Sequence, residues 1–415
     1  MTTFNSLGSN HTFVPALKIL FSFGRDSKRR ELLTYLEKRY GGRATLTYKG
    51  RDALLLGLRA IIGDKAGAMV AINGFTCIAL HDAVVDGGYT PIFLDIAEDG
   101  LDFSAETLRA ALETNANIKA VVIQNTLGYP CNAQEIAALC KERGIALIED
   151  LAHSIGAVYE DGTEAGQPRP TSERVEAGTL GDAVILSFSQ DKVIDSVSGG
   201  ALVMRGTHYA YITEPKNTPS LGRQAKERLY PITTWKIRFW YRFGIGKFLH
   251  TIARALHLLP RPLDGERELR TMPSWQAGIA LSQFKELEYL TQHRRRIAHI
   301  YAAALDPSVC VRSAVASIDR SANLRFPIIV HDRNGLITYL RTRGIHVSDI
   351  WYDAPIAPRK YIDKTSYRYG TCPNAEGVAD TIVNLPTHIN VSSETAKQIA
   401  DEVHRFLAHD HGTRS

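Results

Sequence analysis

The sequence predicts an α/β fold, with a large domain built on a mainly parallel sheet covered by helices and a smaller C-terminal α/β domain. Three observations predict it. Short apolar runs alternate with amphipathic stretches from about residue 45 to 204, the succession expected of strand–helix–strand units. Those runs are rich in Val, Ile and Leu without strict apolar–polar alternation, as in strands buried on both faces. At 415 residues, the chain is too long for one small core. The expected division is an N-terminal helical segment over 1–45, the large domain over 46–270, and a linking helix with the small domain over 271–415.

In order, residues 27–40 carry apolar positions at helical spacing and stop at Gly41 and Gly42, a usual C-terminal signal. A second helix is expected from Arg51 to about Ile62, opened by the turn Lys49-Gly50-Arg51-Asp52. Free N–H groups and the positive end of the helix dipole would face an anion there, although an ordinary helix start looks the same. Strands follow at 68–72, 91–95, 120–124 and 146–150, separated by helices at about 77–85, 104–113 and 133–143. Ligands of such sheets bind beyond the carboxyl ends of the strands, where Phe75, Gln124, Asn125 and Asp150 fall. No GxGxxG follows the first strand, so a nicotinamide-binding fold is not indicated. Residues 161–178 read as a loop or exposed hairpin. Two apolar runs, 183–188 and 199–204, flank a turn bearing Lys192. A long helical pattern at 274–305, a strand at 324–330, a helix near 334–343, a loop region at 350–373 and a last helix from about Ser393 to Ala408 complete the chain.

Lys192 on its turn is either a solvated loop lysine or an amine placed to form a Schiff base with a carbonyl compound, and the Gly199-Gly200 pair would let backbone approach a ligand closely. Asp150 ends a strand and His153 lies three residues on. Pyridoxal phosphate needs an amine for its aldehyde, an acid for its ring nitrogen and donors for its phosphate. Lys192 and Asp150 supply the first two.

Composition narrows the class. A net charge of +5 is modest for this length, and with no zinc-finger or RNA-recognition pattern it does not indicate nucleic-acid binding; no metal site is expected. Five cysteines, odd in number and without a CxxC pair, suit reduced thiols in the cytoplasm. No apolar run reaches the roughly 18 to 20 residues of a spanning helix, and the N-terminus lacks the marks of a signal or transit peptide.

The segments GRDAL (50–54), GFTCIA (74–79), TPIFLDI (90–96), IEDLAHSIGA (148–157), GDAVILSFSQDK (181–192) and SGGALVM (198–204) resemble, in order and spacing, the DegT/DnrJ/EryC1/StrS sugar aminotransferases. The resemblance implies a fold type I enzyme, dependent on pyridoxal 5'-phosphate. It implies that Lys192 holds the cofactor and moves the proton at the substrate carbon, that Asp150 pairs with the ring nitrogen, and that Ser187 and the Gly50–Arg51 turn meet the phosphate. His153 corresponds to a position over the cofactor ring, with a satisfied core histidine as its alternative. The family more often has Ser or Thr where Arg51 stands. Its ring-stacking aromatic is replaced by Cys77, leaving stacking to Phe75 or His153. The Asn-aromatic-Arg-Met run of many members is absent from Glu268 to Met272, and that Asn would reach the neighbouring subunit. The implied activity is amino transfer, from an amino-acid donor such as glutamate, to a nucleotide-linked keto-sugar in surface polysaccharide or glycoconjugate synthesis, by a homodimer. A pyridoxal phosphate enzyme with another acceptor, or an inactive membrane-surface interaction protein on the same fold, stays open.

Residues 223–261 stand apart, with nine Lys or Arg against one Glu and two tryptophans, Trp235 and Trp240. Such a basic, aromatic, amphipathic stretch fits peripheral contact with the inner face of a membrane. It also fits a subunit interface or a cover for the active site.

Overall fold

The computed structural model describes every residue except 1, 160–174, 207, 208, 210, 211, 261–267, 349 and 413–415; for 409–412 only the helical backbone is described. A seven-stranded sheet forms its centre, from β1 (Arg43–Thr47), β2 (Met69–Asn73), β3 (Thr90–Leu94), β4 (Ile118–Ile123), β5 (Ala146–Asp150), β6 (Ala183–Ser187) and β7 (Gly200–Met204), in the spatial order 1-7-6-5-4-2-3. Strands β3, β2, β4, β5 and β6 are mutually parallel, and β7 runs antiparallel to both neighbours. Helices cover both faces, which is why β5 to β7 carry no polar–apolar alternation: every residue of β6 and β7 is buried.

Helix α1 (Phe13–Leu20) precedes α2 (Asp26–Tyr40), which ends on a left-handed Gly41. Helix α3 (Gly50–Ile62) follows β1 and sends Leu54, Leu58 and Ile62 into a core with Val70, Ile72, Ile185 and Leu202. The segment expected to be a loop or exposed hairpin at 161–178 lies mostly outside the described residues; Val175–Glu176, near its end, pairs with Val158–Tyr159 just before it. After β7 come α4 (Leu221–Trp240) and α5 (Ile245–Ala255).

The long helix expected over 274–305 is two helices, Ser274–Lys285 and Leu287–Ala304, broken where Glu286 leaves helical geometry. A second core gathers Ile297, Tyr301, Phe326, Leu336, Leu385 and Val403. It packs helices against an antiparallel pair, β8 (Arg325–Ile329) with β9 (Ile382–Pro386). The N-terminus is stitched to this part of the chain, since Thr3–Phe4 pairs in parallel with Ile345–His346. Among the described residues, no helix is long and apolar enough to cross a membrane.

Candidate active site

The carboxyl ends of β5 and β6 open into a cavity of about 1220 Å³ lined by Asp150, His153, Ser187 and Lys192. The sheet explains why these four meet. Asp150 closes β5 and Ser187 closes β6, and the parallel register sets Ile185 beside Asp150, so both side chains emerge at one rim. Lys192 reaches the same space from the turn between β6 and β7.

That turn is held by a network that no local pattern announces. Asp195 accepts from the amides of Asp191 (2.8 Å) and Val197 (2.9 Å) and from Asn10 Nδ2 (3.1 Å). Asn10 also donates to the Lys192 carbonyl at 2.8 Å, and His11 Nε2 lies 3.3 Å from Asp195. Asp191 and Val197 both take positive φ, 63° and 72°, a conformation uncommon outside glycine. The N-terminal residues thus fix the backbone that aims Lys192.

The titratable groups on the floor of the cavity are buried. Burial pulls the Lys192 pKa below the ordinary lysine value, increasing its neutral, nucleophilic fraction. Burial pushes the Asp150 carboxyl up to about 6, opposed by the Ala152 amide (2.8 Å) and by Lys192; it is charged at neutral pH. His153 is held well below the usual histidine value by burial and by the Lys192 and Arg325 charges. Its Nδ1 accepts from the Leu127 amide at 3.2 Å, so the proton of the neutral ring sits on Nε2.

At the other end, Gly50 opens α3 against the end of β6. A Cβ on Gly50 would lie 2.8 Å from Ser187 Cβ, and one on Gly200 would lie 2.7 Å from the Gly50 amide nitrogen. Only glycines allow this approach, and it sets the first amides of α3 beside the hydroxyls of Ser187 and Ser189, themselves 3.3 Å apart. Such an end suits a phosphate. Arg51 lines the cavity with its Nε 4.0 Å from Asp52. Cys77 lines the wall as a thiol raised by burial. Phe75 does not reach the cavity lining; it is fully buried against Tyr352, ring centroids 4.6 Å apart.

Trp351 and Tyr352 supply the aromatic surface that Phe75 does not. Lys192 Nζ lies 5.1 Å from the centre of the Trp351 ring, and His153 5.7 Å from it. Gln124 Nε2 donates to the Tyr352 hydroxyl at 3.0 Å, positioning a ring whose backbone φ is 60°. Nothing in the sequence ties residues 351 and 352 to Lys192, some 160 positions earlier. The mouth is cationic: Arg223 and Lys226 from α4 and Arg254 from α5 face the same cavity, with His250. Glu227, fully buried, steers α4 there by accepting from Ser198 Oγ (2.9 Å), Arg223 Nε (3.0 Å) and Gln276 Nε2 (3.0 Å).

A model of the DegT/DnrJ/EryC1/StrS aminotransferase family matches residues 27–235 and 268–404. The chain belongs to this family of aminotransferases. It is 24% identical over 372 residues to the GDP-perosamine synthase of Vibrio cholerae, covering 88% of this chain and 86% of that protein. To the UDP-N-acetyl-3-dehydro-alpha-D-glucosamine 3-aminotransferase of Acidithiobacillus ferrooxidans it is 26% identical over 360 residues, covering 86% and 82%. The solved structure of PseC from Helicobacter pylori, an aminotransferase involved in the biosynthesis of pseudoaminic acid, shares the fold with a TM-score of 0.69, at 18% identity over 98% of this chain and 99% of that one. Residues 1–26 and 236–267 of this aminotransferase lie outside the family match.

Proposed function

We propose that this aminotransferase uses pyridoxal phosphate to move an amino group from an amino acid, glutamate in the simplest case, onto a keto-sugar carried on a nucleotide. The observation that carries the proposal is one cavity holding a pKa-lowered lysine, a buried carboxylate and a glycine–serine phosphate cradle. The residues fit that cofactor. Asp150 would hold the proton of the ring nitrogen, Ser187 and the Gly50–Arg51 turn the phosphate, and Lys192 the aldehyde. When bound, the cofactor supplies an electron sink for the carbanion formed on losing a proton. This chain's own part is to place the Lys192 amine, easily deprotonated because buried, where it can take and return that proton. His153 and Trp351 exclude water from the floor, a role that Phe75 does not share.

The cationic mouth supports a phosphorylated acceptor. Arg223, Lys226 and Arg254 are placed to meet a diphosphate by charge-assisted hydrogen bonds. GDP- and UDP-linked sugars appear in the names of the relatives above, and a place in surface polysaccharide or glycoconjugate synthesis is part of the same proposal. So are a homodimer, a cytoplasmic location with peripheral membrane contact through 223–261, and a division of the chain near residues 46 and 271. The test is amino transfer from glutamate to UDP-, GDP- and dTDP-linked keto-sugars. Product with one of these and not with free keto-sugars supports the proposal; turnover of unphosphorylated acceptors alone refutes it.

A further inference from the structure

Helix α5 is amphipathic in the wrong sense for a soluble protein. Ile245, Phe248, Ile252 and Leu256 fall within about 80° of one another at 100° per residue, and all four are exposed, Phe248 at 66% and Leu256 at 61%. The opposite side of the helix is the one turned to the protein: Gly246 and Ala253 are buried, and His250 and Arg254 line the Lys192 cavity. A surface helix normally buries its apolar stripe.

The exposed stripe belongs to a larger face. Helix α1 leaves Phe13, Val14 and Leu17 outward, followed by Phe21 at 65% and Phe23 at 85%. A chain of rings joins this helix to the end of α4: Phe13 to Trp235 at 4.6 Å, Trp235 to Phe239 at 5.0 Å, Phe239 to Trp240 at 5.2 Å and Trp240 to Phe243 at 5.9 Å. Phe239, Trp240 and Phe243 are exposed as well. Exposed rings and aliphatic side chains gathered on three neighbouring elements mark an interaction site. Nearly all of it comes from residues 13–23 and 239–256, which fall in segments outside the family match. An interface common to the family would be built from matched residues, so this face serves something particular to this chain.

Charge selects the occupant. Residues 236–260 contain five Lys or Arg and no Asp or Glu. Lys236 and Arg242 are exposed, as is Lys18 on α1. A second copy laid on this face about a two-fold axis would set these cations against themselves with no acidic partner. Anionic headgroups complement them, and aromatic rings with a basic surround are what an interfacial helix presents to a bilayer.

We propose that α1, the end of α4 and α5 dock on an anionic bilayer surface, with α5 lying between the lipid and the cavity. This deepens the peripheral-contact part of the function proposed above and rests on it, but it needs no turnover. The test is co-sedimentation of the full chain with vesicles of phosphatidylcholine and phosphatidylglycerol in equal parts, against phosphatidylcholine alone. The expected result is binding to the anionic vesicles that weakens at high salt. Phe243→Ser with Phe248→Ser should cut the bound fraction about tenfold or more, with particle mass by light scattering and pyridoxal phosphate absorbance unchanged. Lys236→Glu with Arg242→Glu, which removes no apolar group, should reduce binding to the anionic vesicles. Wild-type chain that stays in the supernatant, variants that sediment as well as wild type, or a double-serine variant whose mass falls to half, as a subunit interface would give, each overturn the proposal. The absorbance, read in parallel, reports separately on the cofactor site.

Discussion

The floor of the cavity and the outer face made by α1, the end of α4 and α5 share one motif, an aromatic ring beside a cation, and behave differently because of what surrounds it. At the floor, Lys192 and Trp351 are enclosed with Asp150, and burial moves both titrating groups toward their neutral forms. On the outer face, Arg242 lies 4.4 Å from the centre of the Phe243 ring, with the cation exposed to water. A cation on a ring becomes chemistry only where solvent is removed; where solvent remains, it is an adhesive surface. One helix, α5, faces the cavity on one side and the outer surface on the other.

Substitutions at the floor should therefore act on chemistry, and substitutions outside should not. Lys192→Ala is expected to cost the largest factor, at least about a thousandfold in turnover, together with the visible absorbance of lysine-bound pyridoxal; steady-state kinetics and a spectrum check both. Asp150→Asn should lower activity about a hundredfold or more and yet stabilise the cofactor-free protein at pH 8. The sign follows from the raised carboxyl. The folded chain binds a proton up to about pH 6 that an unfolded chain releases near its ordinary value, so this group's stabilisation is full below about pH 4 and lost as pH rises through about 6. The loss is on the order of 3 kcal/mol. Urea melts of wild type and Asp150→Asn should thus converge at pH 4 and separate at pH 8, with the variant the more stable.

At the mouth the expected effect is smaller and of another kind. Arg254→Ala should raise KM for the nucleotide-linked acceptor about tenfold, with kcat changed by less than about threefold, because it removes binding common to ground and transition states. Smallest of all, Phe248→Ser should shift unfolding free energy by less than about 0.5 kcal/mol, since an exposed side chain gives up little burial; a large loss of stability would show that this ring is packed against something.

Much of this was legible in the sequence, and the pattern of what was missed is physical. Strand β5 occupies the expected 146–150, and β6, β7 and α3 lie within a residue or two of expectation, because buried parallel strands and capped amphipathic helices carry local signals. The meeting of Lys192 with Asp150 followed from two strand ends on one side of a sheet. Three features had no local signal. Asn10 and His11 bind the Lys192 turn across more than 180 residues; Trp351 and Tyr352 reach the floor from the C-terminal half; and β9, IVNLP, exists because β8 is there to pair with it. Phe75 illustrates the reverse error. The family resemblance left ring stacking to Phe75 or His153, but the Phe75 side chain is buried in the core against Tyr352. The basic stretch was visible as unusual, whereas its joining with α1 into one face was not, since that depends on Phe13 meeting Trp235.

The most direct test is the absorbance spectrum of the purified protein with pyridoxal phosphate, taken before and after glutamate is added. A visible band in wild type that fades with glutamate, and is missing in Lys192→Ala, is the predicted result. A Lys192→Ala protein that keeps the band and its response to glutamate would contradict the assignment of Lys192.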